Sequence, residues 1–322
     1  MSLLEVERLR VRLQTARGLV TVVDGVDYAV EPGEIFGVAG ESGSGKTVSM
    51  LALLGLLPDG AVVEGAVHFG GRNLLGLTRK RLREVSGREL AMVFQDPLTS
   101  LHPMLSVGRQ LTEHVRRHLG LDRRDAQRRA VELLDDVRIP DPESALHAFP
   151  HQFSGGMRQR IAIAIALACR PKLLIADEPT TALDVTVQAG ILRLLDRLRR
   201  ENDLSVVLIT HDLGVMSSIA DRVSIFYAGR VVESGSREAV LRRPRHPYTR
   251  ALLDALPHPE APPEQRLVAI EGVPPSPGSI PPGCAFHPRC AYAQETCRQE
   301  VPPLVAVDAR RLACPPDPFT PR

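Results

Sequence analysis

Residues Gly40 to Thr47 read GESGSGKT, a full match to G-x-x-x-x-G-K-[ST]. No other feature limits so sharply what this chain can fold into. An apolar run, Ile35 to Ala39, leads into it, and Lys46 to Leu57 has the length and composition of a buried helix. Strand, glycine loop and helix in that order make a cradle for phosphate at a helix N-terminus.

Each position has a chemical reason. Glycines at 40, 43 and 45 let the backbone turn, so that amides from Gly40, Ser42, Gly43, Ser44 and Gly45 can point at phosphate oxygens. Lys46 adds a positive charge near the β- and γ-phosphates, and the Thr47 hydroxyl can hold Mg²⁺. A second element, LLIADEP at Leu173 to Pro179, reads as a buried strand ending in two carboxylates. Asp177 is placed to hold Mg²⁺ directly or through water. Glu178 follows at the strand's mouth, where a carboxylate can polarise water for attack on the γ-phosphate. The chain therefore reads as a nucleoside-triphosphate hydrolase.

The rest of the chain is organised around these two elements. Short apolar stretches at Leu4, Val6, Leu9 and Val11 to Leu13, and at Val20 to Val23, predict strands. Residues 97 to about 169 predict a mostly helical insertion, with Arg109 to Leu119 and Arg123 to Val137 at helical spacing. Strands return at Lys172 to Asp177, Ser205 to Thr210 and Val223 to Tyr227, separated by helices near Val187 to Asn202 and Leu213 to Asp221; this alternation suggests a parallel sheet. The pairs Arg116-Arg117, Arg123-Arg124 and Arg128-Arg129 read as solvated helix faces, although a protein partner or anionic lipid could also meet them. With 40 basic and 38 acidic residues, net charge gives no argument for nucleic acid. The longest apolar run, Ile161 to Cys169, is far short of the roughly 20 residues that span a bilayer. The N-terminus lacks a secretory core, so a cytosolic chain is expected.

The signature that narrows the class is FSGGMRQR at Phe153 to Arg160. It resembles the signature sequence of ABC ATPases. Physically it is a second anion site, with the Ser154 hydroxyl, Gly155 and Gly156 at the start of a helix expected over Met157 to Cys169. In that family the signature of one subunit closes on ATP held by another, in a head-to-tail dimer. The resemblance implies further roles in order along the chain. Gln95 in VFQDP senses the γ-phosphate and helps organise Mg²⁺ and water, Asp184 in TTALDV lies in a loop crossing the dimer interface, and His211 in LITHD holds the γ-phosphate. The family usually stacks adenine on an aromatic residue upstream of the loop. Here Arg17 stands near that place, and a guanidinium can stack on a base. Relatives that act in DNA repair or translation either split the cassette with long coiled coils or carry two cassettes, unlike this chain.

The implied fold is α/β: a P-loop core (1–96 and 166–241) with an antiparallel β edge, an inserted helical subdomain (97–165), and an irregular, cysteine- and proline-rich extension (242–322). Of 27 prolines, 18 lie between Pro244 and Pro321. The strings TTALDVTVQAGIL, FPHQFSGGMRQRIAIAIAL and HPYTRALLDALP resemble ATPase subunits of dipeptide and oligopeptide importers, a subfamily that also moves nickel and oligosaccharides. The resemblance implies two membrane-spanning permease subunits, a second ATPase (identical or related), a solute-binding protein indirectly, no nucleic acid, and a peripheral place on the cytoplasmic face of the membrane. Cysteine adds one more question. Cys169 reads as a small core residue. Cys284, Cys290, Cys297 and Cys314 could be free, could hold zinc without the usual C-x2-C pairs, or could hold an iron–sulfur cluster; disulfides are disfavoured in a reducing cytosol. The resemblance points to [4Fe–4S].

Overall fold

The computed structural model describes residues 2–16, 18–96, 100–181, 183–256, 269–315 and 317–319. They form two compact units: Met1–Glu31 with Phe36–Gly76 and Thr210–Arg322, and Pro32–Ile35 with Leu77–Ile209.

The first unit opens on β1 (Leu4–Thr15), β2 (Gly18–Val30), β3 (Ile35–Ala39), β4 (Val62–Phe69) and β5 (Arg72–Asn73). β1 lies antiparallel between β2 and β4, which is the expected antiparallel element. Its inward residues are Leu4 and Val6, then Leu9 and Val11. That change of parity needs an extra residue, and the register shifts between Val6 and Leu9, where Arg8 takes a positive φ of 45°. α1 (Lys46–Leu54) follows β3 and stops short of the predicted Leu57. Gly55, at φ 65°, ends it with a left-handed turn whose N–H bonds back to Ala52 and Leu51.

The second unit begins with α2 (Arg79–Val85) and β6 (Leu90–Val93). Its helices are α3 (Val107–Leu119), α4 (Arg123–Asp136), the single turn α5 (Pro142–Ala145) and α6 (Gly155–Leu167), so the predicted helical insertion is present. α3 buries Val107, Leu111 and Val115, one face at four-residue spacing, while Arg116 and Arg117 stay exposed. Arg128, exposed on α4, pairs with Asp125 as solvated faces do, whereas Arg129, only 15% exposed, pairs with Glu132 and departs from that reading. β7 (Leu173–Asp177), α7 (Val185–Glu201) and β8 (Ser205–Thr210) complete the unit. β6, β7 and β8 run parallel and are almost wholly buried, which is why β7 and β8 read as apolar runs; β6, only four residues long, was not expected from sequence. Cys169 is buried, as expected, and burial pushes its thiol up to about 11.

The chain then returns to the first unit with α8 (Leu213–Ile219), β9 (Arg222–Tyr227) and β10 (Arg230–Ser236). β9 is parallel to β3, and β10 is antiparallel to β9. α9 (Pro247–Asp254) begins the extension. The extension carries little regular structure over most of its described length, with one addition that sequence did not show. β11 (Val305–Val307) and β12 (Arg310–Leu312) form a hairpin, and β12 adds antiparallel to β10. Strands of three residues are too short to show a period in sequence. The buried Tyr248 and Phe286 give the extension a small aromatic core against Tyr227. No helix among the described residues is long and apolar enough to cross a membrane.

Candidate functional site

In the first unit, the buried β3 delivers the glycine loop and α1 carries it away. Gly40 has φ 147°, and a Cβ there would lie 2.2 Å from the Phe226 carbonyl oxygen. Gly45 has φ 97°, and its Cβ would lie 2.8 Å from the Val22 carbonyl oxygen. At both positions the backbone conformation and the close approach require glycine. Lys46 is buried, and its ammonium donates to the carbonyls of Gly40 and Glu41, each at 2.8 Å. Its charge therefore sits inside the curve of the loop. α1 has no acidic residue in its first turn, so its positive end stays open to an anion. Thr47 is the second residue of that helix. His211 follows β8 directly and is exposed. Ser42 and Gly43 are exposed, and Ser44 is buried. Arg17 lies outside the described residues.

In the second unit, Asp177 ends β7 with its side chain buried at 4% exposure. Glu178, next in the chain, takes φ 45°, a left-handed conformation that is strained for a residue with a Cβ. Its N–H donates to Ile209 O at 2.9 Å. Its carboxylate accepts 2.9 Å bonds from the Gln95 amide and the Thr181 hydroxyl. Gln95 and Glu178, 83 positions apart in sequence, are thus one hydrogen-bonded pair. Gln95 gives its amide nitrogen to Glu178, so its amide oxygen is not used in that bond. Within this unit the buried Asp177 carboxylate and the Gln95 amide oxygen are hard donors of the kind Mg²⁺ prefers, as is the Thr47 hydroxyl in the first unit.

The signature also lies in this unit. Ser154 caps α6, its hydroxyl accepting from Met157 N–H at 3.3 Å. Asp184 caps α7 in the same way, accepting from Val187 N–H at 3.0 Å. Both capping side chains are exposed. α6 starts two residues before its predicted Met157 because Ser154, and not the glycines, sets the boundary. Gly156 lets the first turn of α7 come close: a Cβ there would stand 2.5 Å from Val187 Cγ1. Valine has one strongly preferred χ1 and cannot swing away cheaply. Gly156→Ala is therefore expected to destabilise the chain by about 1–3 kcal/mol. Gly156→Ala with Val187→Ala should recover most of that in a denaturant titration; a double variant no more stable than the single one would contradict this packing.

Cys284, Cys290, Cys297 and Cys314 all line one cavity, together with His246, Phe286 and Tyr292. Burial raises the thiols of Cys284 and Cys290 and pushes Cys314 up to about 12. Among the described residues no group of three or more His, Cys, Asp or Glu stands at metal-binding geometry. Four soft thiols suit zinc or an iron–sulfur cluster in number and chemistry, but they share a cavity without closing into a ligand set.

Sequence reasoning missed how the extension reaches the glycine loop. Arg289 forks onto Glu41, at 2.7 and 3.0 Å, and Glu41 N–H donates to the Tyr248 hydroxyl at 2.9 Å. These partners are 248 and 207 positions away in sequence, and no local pattern signals them.

Residues 23–181 match the profile of the family described as ABC transporter, and residues 232–297 match that described as the C-terminal region of oligopeptide/dipeptide transporters. The chain is 47% identical to the dipeptide transport ATP-binding protein DppD of Escherichia coli, over 98% of this chain and 96% of that protein. It is also 47% identical to the oligopeptide transport ATP-binding protein OppD of Haemophilus influenzae, over 92% and 91% respectively. Among solved structures, the ATP-binding cassette MJ0796, in a dimeric post-hydrolysis state bound to ADP and Pi, has a TM-score of 0.65 at 25% identity, covering 73% of this chain and 98% of that one. CbiO1 of Clostridium perfringens, part of an ABC transporter complex, has a TM-score of 0.64 at 27% identity, covering 75% and 91%.

Proposed function

The chain belongs to the ABC transporter family as the ATP-binding subunit of a peptide importer, and from that premise we propose how its residues divide the work. ATP lies on the glycine loop of one cassette and is closed by the signature of another. Lys46 and the loop amides of Gly40, Ser42, Gly43, Ser44 and Gly45 bind its phosphates. Thr47, Asp177 and Gln95 would hold Mg²⁺, whose charge would offset that of the phosphates. Glu178 takes the proton of the attacking water, and Gln95, bonded to that carboxylate, orients it. His211 holds the γ-phosphate. Ser154, Gly155 and Gly156 present a helix N-terminus to the partner's nucleotide, and Asp184 caps the helix beside them. The observation that carries this reading is that one chain bears two glycine-fringed helix N-termini, at Gly45 and Ser154, and one shared nucleotide gives both a use.

The assembly follows from the same reading. Two permease subunits, gripped by the helical subdomain (97–165), and a second ATPase subunit place this chain peripherally on the cytoplasmic face of the membrane, and a solute-binding protein delivers cargo. Vesicles carrying the assembled complex should take up dipeptides or oligopeptides only with ATP, and Lys46→Ala should abolish uptake. Uptake of nickel or oligosaccharide without peptide would favour those cargoes; uptake by the Lys46→Ala complex would contradict the site.

Cys284, Cys290, Cys297 and Cys314 are the proposed ligands of a tetrathiolate group, [4Fe–4S] ahead of zinc, supported by their shared cavity. Such a group would cross-link a proline-rich segment, and binding it would release thiol protons. Anaerobically purified chain is expected to carry iron and broad visible absorbance. Protein containing neither iron nor zinc would contradict this part.

A further inference from the structure

We propose that Arg289, from the C-terminal extension, is a positioning residue of the nucleotide site: it holds the Glu41 carboxylate and offsets its charge beside the phosphates. The inference deepens the ATP-site reading and rests on it.

Glu41 is the second residue of the glycine loop, an awkward place for an acid. Lys46, whose ammonium meets the phosphates, donates to the Glu41 carbonyl at 2.8 Å, so this residue lies one hydrogen bond from the charge that binds nucleotide. An ionised carboxylate there opposes a polyphosphate unless something compensates it. Arg289 does so in the strongest available form. Its guanidinium makes a two-pronged bond to both carboxylate oxygens, at 2.7 and 3.0 Å. Its side chain is only 5% exposed, against 24% for Glu41, so solvent screens the pair little.

The arginine is itself fixed. It ends a 3-10 turn, His287–Arg289, and its Nε donates to the Glu271 carbonyl at 3.0 Å. The guanidinium carbon lies 5.9 Å from the ring centres of both Tyr227 and Phe286. Tyr248, packed on the same two rings, takes the Glu41 N–H through its hydroxyl. The extension thus holds residue 41 twice, by amide and by carboxylate. A cassette cut off before the extension would leave Glu41 unpaired beside the phosphates.

The test is ATP affinity of the full-length purified chain, by calorimetry, with unfolding midpoints recorded for every variant. Arg289→Gln is expected to weaken ATP binding about tenfold, from the uncompensated carboxylate alone. Adding Glu41→Gln removes that charge, so the double variant should return close to the wild-type affinity. Loss of a merely structural contact would not be rescued this way. Should Arg289→Gln fail to fold, Arg289→Lys keeps the charge without the fork and should bind ATP far better than Arg289→Ala. Lys46→Ala serves as the control. If it loses ATP while Arg289→Gln binds normally, or while the double variant stays as weak as Arg289→Gln, the proposal is overturned and the ATP site stands. If Lys46→Ala binds as well as wild type, the ATP-site reading itself fails.

Discussion

Glu178→Gln is expected to cut ATP turnover about 100-fold or more while leaving ATP binding intact. The argument begins with the backbone. β7 is buried throughout, and the left-handed turn at Glu178 lifts the carboxylate out of the strand to meet Gln95 and Thr181. Glutamine keeps the size and can keep both contacts through its own amide, but it cannot accept the proton of a water. The step that fails is therefore hydrolysis, and the nucleotide-loaded, closed assembly should accumulate. Turnover measured at saturating ATP, alongside equilibrium binding, separates the two. Near-normal turnover in this variant would remove Glu178 from the role of base.

Gly155→Asp should also cut turnover without touching ATP affinity, but by a different route. Gly155 opens α6, with the Ser154 hydroxyl exposed beside it. A Cβ there would meet only Leu183 Cδ2, at 3.6 Å, so the substitution fits without collision. What it changes is charge, placing a carboxylate where the helix dipole would face the partner's γ-phosphate. Turnover of the assembled complex is expected to fall about 100-fold, the scale of losing transition-state donors. ATP affinity of the isolated chain should not change, because Lys46 and its loop are untouched. Equal loss of affinity in the isolated chain would show that the signature serves its own chain's nucleotide.

Much of this could be read from sequence, for definite reasons. The glycine loop and LLIADEP are local: every residue that matters lies within one turn or strand, and glycine, lysine and aspartate there have few other uses. The parallel strands β3, β7, β8 and β9 were legible because burial makes them nearly unbroken apolar runs, whereas the four-residue β6 was not read. The end of α1 was misread: Gly55 follows Leu54 directly and stops the helix, but the apolar residues up to Leu57 hid that boundary. What stayed hidden depends on long-range pairing. β12 joins β10 across more than seventy positions, with strands too short to show alternation. The Gln95–Glu178 bond and the Arg289–Glu41 fork each need the fold before they exist. Asp184 shows a subtler gap. The resemblance suggests a role at an interface, while the structure adds a capping bond to Val187 that any aspartate preceding a helix could make.

The most direct test of the central claim is to place a photo-crosslinking side chain at Ser154 in the assembled, ATP-loaded complex and map its adducts by mass spectrometry. Adducts on the glycine loop of the neighbouring ATPase subunit, dependent on ATP, are the expected result. Adducts confined to the same chain, or indifferent to ATP, would contradict a nucleotide shared between two cassettes.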